Sequence, residues 1–164
     1  MSGISVDIEN EFSDLGEEVG YLSRTLERIG DNVSDPFGQE AWEIAHICAS
    51  ATEKIYTGCE RIMARLAALV DLSPIDHTDG WHAALLRRMA HPFPGVREAI
   101  VSADCLRRLD RLRAFRHRER NSYGTGPDVG IVIGRGHEAV ETFAVFRAEV
   151  LEFLQAFDNG GPRC

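Results

Sequence analysis

Ile8, Phe12, Leu15, Val19, Leu22, Leu26, Ile29 and Val33 recur in alternating steps of four and three. That spacing lays one apolar stripe along an α-helix, whereas a strand would need alternation every second residue. A stripe of this length must be covered, so a long first helix reaching Val33 has to pack against other helices. Asp35, Pro36 and Gly38 then break the chain. A second long stripe follows in Ala41, Ile44, Cys48, Ala51, Ile55, Cys59, Ile62, Leu66 and Leu69, and it ends before Ser73 and Pro74.

A shorter helix is predicted over Trp81 to Met89, with Asp79 as its cap. His91-Pro92-Phe93-Pro94-Gly95 reads as a connection, because two prolines remove backbone donors. Ser102 is the expected cap of a fourth helix containing Leu106, Leu109, Leu112 and Phe115, which should stop near Gly124. Residues 124 to 136, with Gly124-x-Gly126 and Gly134-x-Gly136, read as a glycine-rich loop holding a β-branched patch from Val129 to Ile133. A last helix carries Val140, Phe143, Phe146, Val150, Phe153, Leu154 and Phe157, before a tail expected to fray over 158 to 164. The expected fold is all-α: an antiparallel bundle of four to five helices forming a single domain over 1 to 164. The first stripe would also suit a two-chain interface, so a homodimer is one reading and a buried helix of the monomer the other.

A chain of 164 residues that is 44% hydrophobic can bury a core without disulfides or a structural metal. Its four cysteines form no CxxC pair, no basic-then-apolar leader opens it, and charges interrupt every long segment. The expectation is a cytoplasmic protein with reduced thiols and no membrane association. Six histidines without an HExxH or paired spacing call for no metal, and nothing calls for a cofactor. His46 and His82 are expected to satisfy local hydrogen bonds, and Tyr56 and Trp81 to be core or interface aromatics.

The net charge of -8 argues against nonspecific nucleic-acid binding. The charge is unevenly spread. Residues 1 to 60 carry thirteen acids against three bases, whereas 107 to 120 carry seven arginines against Asp110 and Glu119. A basic helix on an acidic body could face RNA, a partner's acidic surface, or the protein's own acids. Arg107, Arg108, Arg111 and Arg118 are expected to be solvated or paired with Asp104, Asp110 and Glu119.

Within that stretch, Phe115-Arg116-His117-Arg118-Glu119-Arg120-Asn121-Ser122-Tyr123-Gly124 resembles the R-x(4-6)-H-x-Y motif of HepT-like proteins of the HEPN superfamily. Arg116, His117 and Tyr123 fall on the motif, and Asn121 stands where it places histidine. Tyr56-Thr57-Gly58-Cys59-Glu60-Arg61-Ile62 is similar to the family's second helix, and Trp81-His82-x-x-Leu85-Leu86 to its third. The resemblance spans roughly 40 to 157, and the first helix matches in character only.

The resemblance implies the toxin of a toxin–antitoxin pair, a metal-independent endoribonuclease whose two motifs meet across a dimer interface. In that chemistry the arginine steadies the charge developing on the phosphate, and a histidine moves a proton as the RNA's own 2′-hydroxyl attacks. The residue types suit it: a planar guanidinium grips two phosphate oxygens, and an imidazole exchanges protons near neutrality. An amide does neither acid nor base work there, so with Asn121 the proton transfer comes from elsewhere, His117 being one source, or is absent. Arg113 and Arg120 are the expected RNA contacts. Tyr123 matches the tyrosine to which a nucleotidyltransferase antitoxin adds adenylate. The alternative is a catalytically silent module that binds such an antitoxin or RNA.

Overall fold

The computed structural model describes residues 2–30, 33–121 and 128–160, with side chains throughout except at 119–121. Five helices account for most of the chain: α1 Gly3–Ile29, α2 Gln39–Leu69, α3 Trp81–Met89, α4 Ala103–Asn121 and α5 Val129–Asp158. Among the described residues there is no strand, only an isolated bridge between Phe93 and Arg97. The all-α bundle is as expected.

The first stripe is buried as its spacing demands, from Ile8 through Leu26, and Phe12 meets Phe143 and Phe146 edge-on at 6.0 and 5.7 Å. The helix ends sooner than the stripe does. Gly30 adopts φ 62, a left-handed backbone that stops α1, and Val33 packs half-buried against the core from outside it.

Side-chain pairs fix the directions. Along α1 and α2, Glu18 meets Lys54, Leu15 lies against Gly58, and Asp7 meets Arg65, so the two run antiparallel. Gly58 leaves room for Leu15: a Cβ there would lie 2.6 Å from both Leu15 methyls. Ser102 with Glu149, Arg108 with Glu141 and Arg111 with Glu138 give the same antiparallel sense to α4 and α5.

Ser102 caps α4 as expected, accepting from the Cys105 amide at 3.1 Å, and Glu149 of α5 receives both the Ser102 amide and hydroxyl. Asp79 does not cap α3; the N-cap is Gly80, which offers no side chain.

The largest correction falls on 124–136. From Val129 onward this stretch is helix, capped by Asp128, which accepts from the Ile131 amide. Val129, Val132, Ile133 and Gly136 are buried at steps of three and four, so the β-branched patch and the Gly134-x-Gly136 pair belong to the first turns of α5. Packing against the core outweighs the weak helix propensity of glycine and valine. Gly124 and Gly126 lie outside the described residues.

Asp158 closes α5 and accepts from the Ser2 amide and the Ser5 hydroxyl, tying the end of α5 to the start of α1. Residues 161–164 lie outside the described range. Cys48, Cys59 and Cys105 are free and buried. Among the described residues no helix is long and apolar enough to cross a membrane.

Candidate functional site

Helix α4 buries Cys105, Leu109, Leu112 and Phe115, which leaves its arginines to flank the apolar edge. The charges of Arg107, Arg108, Arg111 and Arg113 are met within the protein. Arg107 and Arg108 reach Asp104, Arg108 also reaches Glu141, Arg111 meets Glu138, and Arg113 meets Asp110 at 2.8 Å. Within the chain, the acids that answer these arginines are Asp104, Asp110, Glu138 and Glu141. The consequence is visible at Glu138. Burial raises its pKa, but hydrogen bonds from Arg111 and Arg135 outweigh this and hold it below the usual range.

Arg116 is the most enclosed of these arginines, with 14% of its side chain exposed. Its Nη1 donates to Glu60 Oε2 at 3.1 Å, its Nε lies 3.6 Å from Glu53 Oε1, and its guanidinium sits 5.7 Å from the Tyr56 ring centroid. All three partners project from α2, at positions 53, 56 and 60, whose steps of three and four place them on one face.

Glu60 is the hub. Its side chain is 7% exposed, a placement that a carboxylate holds only when paired and hydrogen-bonded. Oε1 accepts the Tyr56 hydroxyl at 3.1 Å and meets Nδ1 of His82, the second residue of α3. Burial first, and then the adjacent Glu60 carboxylate, push the Tyr56 phenol far above its ordinary range, so it remains a donor. His82 therefore makes a long-range contact in place of the local one expected of it. Its ring stacks on Trp81 at 3.8 Å, Trp81 meets His77 at 4.3 Å, and 36% of the His82 side chain stays exposed.

Three helices thus bring an arginine, a tyrosine, a histidine and a second carboxylate together around one buried Glu60. Of the residues expected at the site, Arg116 lies in this cluster. His117, one residue further along α4, is exposed and turned by about 100°. Arg113 lies half-buried beside its Asp110 partner. Asn121 is the last residue of α4, and its side chain, like that of Arg120, lies outside the described residues, as does Tyr123 altogether. Glu53, Glu60 and His82 were not legible as site residues. The signals were Tyr56-x-x-x-Glu60, a donor and an acceptor one helical turn apart, and the place of Glu60 and His82 in the two segments that resemble the family's second and third helices.

A family model described as HepT-like protein matches residues 47–157, more than half of the chain. The chain belongs to the HepT-like family. The match runs from within α2 to the end of α5, and so contains every residue of the HepT-like cluster while leaving out α1. Comparison with curated proteins and with solved structures gives no match. Among the described residues of this HepT-like chain, no group of three or more His, Cys, Asp or Glu side chains is placed to hold a metal ion.

Proposed function

We propose that this HepT-like chain is the toxin of a toxin–antitoxin pair and cleaves RNA without a metal, through Arg116. The observation that carries the reading is the grip of buried Glu60 on Arg116 at 3.1 Å, with Glu60 itself held by Tyr56 and His82. A guanidinium oriented in advance of substrate offers fixed donors to a phosphorane and needs no reorganisation as charge develops. The role fits a single strong phosphate contact better than a broad basic surface, since the neighbouring arginines are neutralised by Asp104, Asp110, Glu138 and Glu141. Arg113 and Arg120 flank Arg116 and would add weaker contacts to the RNA backbone.

The test is incubation of the purified chain with transfer and messenger RNA in excess chelator. Cleavage is expected, and Arg116→Ala should lower its rate by about 100-fold or more. RNA left intact by the wild type, or cleaved equally by the variant, would overturn the reading.

A second reading, a silent module that binds an antitoxin or RNA, is favoured by a specific observation: Arg116 lies between two carboxylates while Asn121 occupies the histidine position. Under it, Asn121→His creates cleavage where the wild type has none. In either reading the proposed partners are a second copy of the chain and a nucleotidyltransferase-type antitoxin that adenylylates Tyr123. Buried free Cys48, Cys59 and Cys105 are compatible with a reducing cytoplasm.

A further inference from the structure

The ribonuclease reading leaves one step without a group: Asn121 cannot take the proton of the attacking hydroxyl. We infer that His82, oriented by Glu60, is the catalytic base, and that Glu60 serves at once as the positioning residue of the base and of Arg116. The inference rests on that ribonuclease reading and deepens it.

The geometry assigns the ring nitrogens different roles. His82 Nδ1 meets the Glu60 carboxylate and so carries the hydrogen, which leaves the lone pair on Nε2. Trp81 lies against the ring at 3.8 Å with the planes tilted by 30°, and with 36% of the side chain exposed the imidazole is open to a substrate. The other carboxylate oxygen holds Arg116. Base and phosphate anchor are therefore separated by a single carboxylate group. His46 and His91 are arranged otherwise, with Nδ1 turned to the carbonyls of Trp42 and Arg87, each four residues earlier.

In the step, Nε2 of His82 takes the proton from an RNA 2′-hydroxyl as O2′ bonds to the adjacent phosphorus. The P–O5′ bond breaks with its electron pair on O5′, which is protonated from water. The products are a 2′,3′-cyclic phosphate and a 5′-hydroxyl end. Arg116 offsets the charge on the phosphorane, and the proton held by His82 returns to solvent. Glu60 stabilises the imidazolium while it exists, as a buried carboxylate does for a histidine base. The groups that set its protonation are Glu60, Arg116, Tyr56 and Glu53 across the cluster, Arg113 acting on Tyr56, and His77 beyond Trp81.

The experiment measures cleavage of an oligoribonucleotide in chelator across pH for the wild type, His82→Gln, Arg116→Ala and the control His46→Gln. Glutamine keeps a hydrogen bond to Glu60 but does not titrate. His82→Gln is expected to lose about 100-fold or more in kcat/KM, together with the acid limb of the pH profile. Arg116→Ala should lose rate and keep the limb, and His46→Gln should match the wild type. Free imidazole added to His82→Ala should restore part of the rate. If the wild type cleaves and His82→Gln retains its rate and limb, the dyad is wrong and the ribonuclease reading stands. If the wild type leaves RNA intact, both fall.

Discussion

Two clusters in this molecule are built from the same parts and end in opposite chemistry. In each, one buried carboxylate joins two nitrogen-bearing side chains from separate segments, and an aromatic ring lies under a guanidinium. At the end of α2, Asp71 is fully enclosed. It accepts from Arg97 Nε at 2.6 Å, Arg97 Nη2 at 3.1 Å and Arg88 Nε at 2.8 Å, with Phe93 beneath both arginines. The remaining donors of Arg97 reach the carbonyls of His91, Glu98 and Arg88, so all five of its N–H groups are used. That cluster is a clamp. It fastens α3 and the Phe93 to Arg97 turn to the end of α2, and none of its charged members is exposed. The Glu60 cluster replaces the second arginine with a histidine and leaves that histidine 36% open. A carboxylate shared by two nitrogen-bearing side chains is a structural device when it is sealed, and a candidate for chemistry when one partner can exchange a proton with a ligand.

Three substitutions would break or sharpen this contrast. The largest stability effect is expected at the clamp: Asp71→Asn strands Arg97 without its counter-charge and should lower unfolding free energy by about 3–5 kcal/mol, read from urea denaturation. Glu60→Gln should be milder, on the order of 1–3 kcal/mol, because Arg116 and His82 both retain a route to water. Its loss of RNA cleavage should match that of Arg116→Ala. A loss of stability at Glu60 as large as at Asp71, with cleavage unchanged, would make the two clusters the same device.

The smallest effect belongs to the exposed pairs along α4. Glu138→Gln should cost less than about 1 kcal/mol at neutral pH. The sign of its pH dependence follows from the lowered pKa in the folded state. The contribution is fully present above the unfolded glutamate range, near roughly 4.3, and is lost as pH falls through the lower folded value. Wild type and variant should therefore converge in thermal stability in strong acid. A difference that persists there would assign the effect to packing.

Periodicity located α2 and α3 to within a few residues and the cap at Ser102 by residue type. These are local properties, set by side chains three and four apart and by the hydrogen-bonding habit of serine. The start of α5 was not legible, because glycine and β-branched residues favour other conformations locally and only burial against α1 reverses that preference. The candidate site divides in the same way. Arg116 stands out in the chain through its motif, whereas Glu53, Glu60 and His82 lie 63, 56 and 34 positions before it; Glu60 and His82 fall in segments that resemble the family, but nothing in the chain ties either to Arg116.

What the sequence by itself determined is the helical bundle and the HepT-like membership, since both rest on patterns that run along the chain. Which acids answer the arginines of α4, and which histidine shares Glu60 with Arg116, only the tertiary structure decided. The physical reason is that a charge is paired by whatever helix the core packing brings beside it, and that neighbour is seldom close in sequence.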